Sequence, residues 1–234
     1  VFNFNRRKKQ KPNKSRNLIT TIDSKSPISE QYRTIRTNIQ YSSVDKELKT
    51  ILVTSSGPGE GKSTTTANLA ATFAQLGLKV LLVDADLRKP TVHHTFGVSN
   101  LNGFTSLLTR QLSIEEAITE TNEKNLFIIT SGPIPPNPSE LLSSKNMTQF
   151  IQDAREEFDY IFFDTPPLLA VTDAQIIANQ CDGSILVVSS GKTGMEPARR
   201  AKELLVNAQS KLLGVVLNNK VIQKNDHYYY YGAK

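Results

Sequence analysis

The chain has 234 residues, 38% hydrophobic and 21% charged, with 28 Lys and Arg against 22 Asp and Glu. That length suits one sizeable domain with a single core, and the composition is that of a soluble globular protein. No apolar run approaches the ~20 residues that span a bilayer, no secretory leader pattern is present, and a lone cysteine, Cys181, excludes an internal disulfide. One thiol of this kind reads as a small buried apolar residue in a protein of the reducing cytosol.

The first sixteen residues, VFNFNRRKKQKPNKSR, hold seven basic residues and no acidic one, so subtracting them takes the net charge from +6 to −1 on the remaining 218. The basicity belongs to an arm (1–17) ahead of a near-neutral domain (18–220). Such an arm is either a solvated, disordered leader or an attachment to anionic lipid or nucleic acid; lipid attraction is worth roughly 1 kcal/mol per basic residue. SPISEQYRTIRTNIQYS then predicts a helix over 27–43, with Pro27 near its start and Ile28, Tyr32, Ile35 and Ile39 as an apolar stripe.

Six apolar runs predict strands: Ile51–Ser55, Val80–Asp84, Leu126–Thr130, Tyr160–Asp164, Ser184–Ser189 and Leu212–Asn218. They do not alternate with polar residues, as expected of strands covered on both faces in a parallel sheet. Helices are expected between them over Ser63–Leu76, Lys145–Phe158 and Glu196–Ala208, the last two with one apolar face. GPIPPNPSELL (Gly132–Leu142) carries four prolines in six residues and predicts a stiff loop, neither helix nor central strand. The sum is an α/β domain with a doubly wound, mainly parallel sheet, flanked by flexible N- and C-terminal tails. Ligands in that architecture bind beyond the carboxyl ends of the strands.

The most informative stretch is ILVTSSGPGEGKSTTTANLA, residues 51–70. An expected strand runs into Gly57-Pro58-Gly59-Glu60-Gly61, then Lys62-Ser63-Thr64, then an expected helix. The glycines let backbone amides turn inward as a phosphate cradle, and the positive end of the helix faces the same point. Lys62 can reach the β- and γ-phosphates of ATP, and the Ser63 hydroxyl can ligate Mg2+. The strict G-x-x-x-x-G-K-[ST] pattern places glycine where this chain has Ser56.

The second strand ends in LLVDADLRKP, so Asp84 and Asp86, two apart on extended chain, can point to one side of the sheet edge. The fourth ends in YIFFDTPP, the hydrophobic-run-then-Asp form of a Walker B element, and Asp164 there can hold magnesium directly or through water. Together these features indicate a P-loop NTPase-like nucleotide triphosphatase or phosphotransferase using Mg-ATP. The adjacent His93 and His94 read as polar loop or helix residues rather than metal ligands.

With SEQYRTIRTNI, PGEGKST, LLVDADLRKP, TSGPIPPNPSELL, FDTPP, GVVLN and a tyrosine-rich end in this order, the chain resembles the bacterial protein-tyrosine kinases of capsule and exopolysaccharide systems. The likeness is to the cytoplasmic kinase component found as a separate chain in Gram-positive bacteria. The resemblance implies a tyrosine kinase that phosphorylates its own C-terminal cluster, Tyr228, Tyr229, Tyr230 and Tyr231, between subunits. It implies a homo-oligomeric ring, an octamer, assembled through Glu30, Arg33 and Arg36. It further implies a membrane-bound activator that supplies a cytoplasmic tail, a place at the inner face of the plasma membrane, protein substrates and no nucleic acid. It places Asn218 where related P-loop proteins contact adenine. Ser63 with Asp84 or Asp164 would hold the metal, and Asp84, or else Asp86, would orient the tyrosine hydroxyl or take its proton. The alternative is a partitioning-type ATPase switch. Those proteins carry an additional lysine early in the loop, where this chain has Gly57. For the four tyrosines, a sticky or aggregation-prone end is the competing reading.

Overall fold

The computed structural model describes residues 18–42 and 47–221; the basic arm and Tyr228–Tyr231 lie outside the described residues. In chain order the elements are α1 (Ile19–Ile22), α2 (Pro27–Tyr41), β1 (Thr50–Ser55), α3 (Lys62–Ala74), β2 (Val80–Asp84), α4 (Val92–Phe96), α5 (Phe104–Leu108), α6 (Ile114–Ala117) and β3 (Thr119–Glu120). They continue with β4 (Leu126–Ile129), α7 (Pro138–Leu142), α8 (Lys145–Glu157), β5 (Tyr160–Asp164), α9 (Asp173–Ala178), β6 (Gly183–Ser189), α10 (Met195–Asn207) and β7 (Leu212–Asn218).

The strands form one sheet in the order β3-β4-β2-β5-β1-β6-β7. All pairings are parallel except β3 with β4. The six expected strands are present with ends shifted by at most one residue. β3 was not foreseen, because two exposed residues pairing antiparallel at an edge leave no periodic pattern. Alternate residues of each central strand enter opposite cores. Leu52, Leu81, Val83, Phe163 and Leu186 pack with Met147, Phe150 and Ala154 of α8 and Leu205 of α10. Ile51, Val53, Leu82, Phe162 and Val187 pack with Leu69, Ala70 and Phe73 of α3 and Ile39 of α2. Both faces of these central strands are therefore covered, which is why they are apolar throughout rather than at every second position. β7 departs from that expectation, an edge strand with none of its residues fully buried and Val215 and Leu217 exposed.

α2 begins under a Ser26 cap, whose hydroxyl accepts from the Ser29 amide, with Pro27 at its first position. α3 lies beneath α1 and α2 as well as on the sheet; the Asn68 carboxamide accepts from the Thr20 amide and hydroxyl at 3.1 Å each. The proline-rich segment departs from expectation. It is a loop only as far as Asn137, after which Pro138 opens α7. A proline at the first helical position loses no hydrogen bond and has its φ already set, so four clustered prolines did not preclude a turn of helix after the last of them.

β1 is anchored at its start by Asp182. One oxygen of that carboxylate accepts from the Lys49 amide (2.9 Å), the Thr50 amide and hydroxyl (2.8 Å each) and Arg155 (2.6 Å). Burial by itself raises the Asp182 carboxyl, but these donors hold it below the ordinary carboxylate range. A depressed folded-state value contributes stability above the unfolded pKa of ~4, lost as pH falls through the folded value. Asp182→Asn should cost about 1–3 kcal/mol at pH 7. Its thermal midpoint should converge on that of the unsubstituted protein as the pH is lowered from 5 to 3, measured by circular dichroism.

Candidate active site

β1 carries the chain to Ser55, residues 56–61 turn, and α3 starts at Lys62. Gly59 (φ +72°) and Gly61 (φ +97°) are left-handed, and a Cβ on Gly61 would lie 2.0 Å from the Asn218 side chain, so glycine is required there twice over. Among the described residues none accepts a hydrogen bond from the backbone amides of residues 59–64. Those donors converge at the loop and at the first turn of a thirteen-residue helix, a ready anion cradle.

Glu60 does not face this cradle. Its buried carboxylate turns back and accepts from the Ser56 amide and hydroxyl (2.9 Å each) and from the Thr193 hydroxyl (2.7 Å). Ser56, where the strict motif has glycine, thus supplies a donor inside the loop. The Asn218 carboxamide donates to the Glu60 carbonyl at 2.9 Å. Asn218 therefore touches the loop itself from the end of β7.

The acidic residues meet at the carboxyl edge. Asp84 and Asp164 are directly paired in register at the ends of β2 and β5. The Lys62 ammonium lies 3.0 Å from Asp86 Oδ2, 3.3 Å from Asp164 Oδ1 and 3.2 Å from the Ser63 hydroxyl. Asp84 accepts from the Thr91 and Val92 amides at 2.9 Å each and Asp86 from the Lys89 amide at 3.0 Å. Burial, then the Asp164 charge, pushes Asp84 up to about 7. Burial also raises Asp164. Burial alone pulls Lys62 down, but Asp164 and Asp86 more than offset it and hold the ammonium above its ordinary value.

Lys62, Ser63, Asp86 and Asp164 are thus together at one point with Asp84 beside them. The oxygens of this set, those of Ser63, Asp164 and Asp84, fit a divalent cation arriving with a nucleotide, with the Lys62 ammonium left to the phosphates. Asp164 Oδ2 is buried with no hydrogen-bond partner, and the Ser63 hydroxyl is adjacent. Among the described residues no three His, Cys, Asp or Glu side chains form a ready-made metal cage. Magnesium held by one or two carboxylates, phosphate oxygens and water needs none.

The Glu30, Arg33 and Arg36 set divides. Glu30 and Arg33 form an ion pair on the surface of α2, whereas Arg36 turns inward and donates to the Thr72 carbonyl of α3 at 2.8 Å. His93 and His94 lie on α4 with ring centres 3.9 Å apart. Cys181 is half-buried against the α8–α10 side of the core. Several site residues were missed in the sequence. Thr193 and Lys192 follow β6 and meet the loop from behind. Arg88 binds buried Asp173 through two bonds, at 2.7 and 3.0 Å. The LRKP and SSGKT segments offered basic residues beside strand ends, but nothing in them names a partner 85 or 133 positions away.

A parallel sheet with an amide cradle after β1 and carboxylates ending the neighbouring strands defines a P-loop nucleotide-binding enzyme. Comparison with known proteins agrees. A family model described as an AAA domain matches residues 48–213. The chain is 56% identical over 228 residues to the tyrosine-protein kinase YwqD of Bacillus subtilis, covering 97% of this chain and 96% of that one. Among solved structures, the chimerical protein CapA2B2 matches with a TM-score of 0.85 and 41% identity, over 88% of this chain and 90% of the other. The kinase domain of the Escherichia coli tyrosine kinase ETK matches with a TM-score of 0.85 and 31% identity, over 97% and 89%. The chain belongs to the bacterial protein-tyrosine kinase family, and its enzyme class is that of a protein-tyrosine kinase.

Asp84 yields a test independent of activity. A carboxyl raised from ~4 unfolded to about 7 folded binds its proton more tightly in the native state. Stability therefore falls as pH rises through that window. Asp84→Asn should be close to the unsubstituted protein in thermal midpoint at pH 5 and higher at pH 8, both without nucleotide, by scanning calorimetry.

Proposed function

We propose that the protein transfers the γ-phosphoryl group of ATP to tyrosine hydroxyls, first those of its own Tyr228–Tyr231 in a neighbouring subunit. One observation carries this reading for the site: a lysine held between buried carboxylates under an open amide cradle. The amides of residues 59–64 and Lys62 bind the polyphosphate and neutralise charge that shifts toward the leaving oxygen. Ser63, with Asp164 or Asp84, would hold magnesium, which would supply neutralisation of phosphate charge when bound. The bond from phosphorus to the bridging oxygen breaks, a bond to the tyrosine oxygen forms, and the phenolic proton passes to a carboxylate. Asp84 is the first choice for that base, because it ends β2 beside Asp164 and takes no part in the lysine's hydrogen bonds. A free phenol, with a pKa of ~10, gives its proton up late in transfer. Asp86, already paired with Lys62, is the second choice.

Reach permits the tyrosine cluster as acceptor: eight residues, from Lys220 to Tyr228, can span up to roughly 27 Å. We take Glu30, Arg33 and Arg36 as the self-assembly set of a ring, an octamer by family resemblance, which favours transfer to a neighbour; Arg36 would exchange its bond to the Thr72 carbonyl for one across the interface. No helix of the described residues is long and apolar enough to cross a membrane. In this reading a membrane-bound activator holds the kinase at the inner face through its cytoplasmic tail, and the pair regulates capsule or exopolysaccharide synthesis. Each phosphate adds nearly two negative charges, so several modified tails push the ring apart.

Incubation with ATP, magnesium and an activating tail should yield phosphotyrosine at 228–231 by mass spectrometry, and Lys62→Met should lower it at least about 100-fold. ATP turnover without phosphotyrosine, on the protein itself or on added protein, would instead match a partitioning-type ATPase. Replacing all four tyrosines with phenylalanine should leave the ring intact on ATP addition, by light scattering. Dissociation of that variant on ATP addition would refute the tail as the assembly switch.

A further inference from the structure

The segment that leaves the end of β6, Ser189-Ser190-Gly191-Lys192-Thr193-Gly194, is a tight, self-bonded turn. The Lys192 and Thr193 amides both donate to the Ser189 carbonyl, at 3.1 and 2.8 Å, and the Thr193 hydroxyl accepts from the Ser189 amide at 2.8 Å. Gly191 is left-handed (φ +71°). The turn presents two neighbouring side chains to the phosphate loop. Thr193 bonds Glu60 inside it. Lys192 reaches its crest, where the ammonium donates to the Pro58 carbonyl at 2.8 Å and the Gly59 carbonyl at 3.2 Å.

We propose that Lys192 is a positioning residue for the nucleotide, holding the phosphate loop in its anion-receiving shape before the nucleotide arrives. The physical need is specific. A loop whose amides receive an anion carries carbonyls that must point elsewhere, and a carbonyl rotated toward the phosphates would repel them. Lys192 ties down the carbonyls of residues 58 and 59, while the amides of residues 59–64 have no acceptor among the described residues. Three glycines in five residues, 57 to 61, make this stretch expensive to order. Order established in advance is a cost that binding no longer meets. Lys192 therefore acts on ATP affinity and leaves the chemical step of bound ATP alone. It also fills space: a Cβ on Gly59 would lie 2.9 Å from the Lys192 ammonium.

The inference rests on the loop being the nucleotide cradle, and the experiment separates the two. In full-length protein with its activating tail, Lys192→Met should raise KM for ATP and the Kd for Mg-ADP about 5- to 10-fold. Its kcat should stay within about threefold, and its thermal midpoint without nucleotide within a few degrees. Lys192→Arg, which can still donate to both carbonyls, should recover most of the affinity. Thr193→Val should weaken affinity in the same direction. If Lys192→Met leaves both constants within twofold, or lowers kcat at unchanged KM, the inference is overturned while the nucleotide reading stands. If the unsubstituted protein binds no ATP, both fall.

Discussion

Three carboxylates of the same sign sit at the edge of one sheet, two of them fully buried and paired in register across adjacent strands. Left alone, such a group repels itself and resists desolvation. The Lys62 ammonium resolves this by lying between Asp86 and Asp164, and most of the site's arrangement follows from that placement. α3 has to begin at residue 62 to deliver the lysine. Gly61 has to be left-handed to let α3 begin there, and β2 and β5 have to end level. Asp84 lies outside the lysine's hydrogen bonds and is partly relieved by two backbone amides from the Thr91–Val92 turn. Its carboxyl shows the residual strain as a raised pKa. Groups perturbed by burial and a like charge in this way are common where proton transfer occurs.

The phosphate loop needs a second kind of support. Its front is left open for an anion, so its rigidity comes from behind. Glu60 acts as an internal strut to Ser56, Thr193 ties that strut to the turn after β6, and Asn218 fastens the Glu60 carbonyl to the end of β7. The strands that supply these contacts lie side by side, in the order β1-β6-β7. The sheet thereby lends its stiffness to a segment that is otherwise mostly glycine, and preorganisation of this kind is what electrostatic catalysis draws on.

Much of this was legible in the sequence. The buried strands announced themselves by unbroken apolar runs, because both faces are covered. The loop did so by its glycines and Lys62-Ser63, and the acids by ending apolar runs. What stayed hidden has a common cause. Glu60 looked like a cradle residue, since sequence places it in the motif but says nothing of which way its carboxylate turns. Lys192 and Thr193 lie in an unremarkable polar turn and gain meaning only from strand order, which brings β6 beside β1. Arg36 shares helical spacing with Glu30 and Arg33, yet its side chain follows α3 inward. The short helices between residues 92 and 117 carry too few turns for a readable period.

The distance in sequence between the loop and its brace has a consequence for how the protein comes into being. The Asn218–Glu60 contact joins positions 158 residues apart. On a ribosome adding about 5–20 residues per second, the glycine loop waits on the order of 8–30 s for the strand that steadies it. The two strands flanking β1 also emerge late, since β5 and β6 begin at residues 160 and 183. The nascent chain therefore carries its phosphate-binding sequence long before it has a phosphate-binding site. β7, the last strand among the described residues, is the one that finishes it.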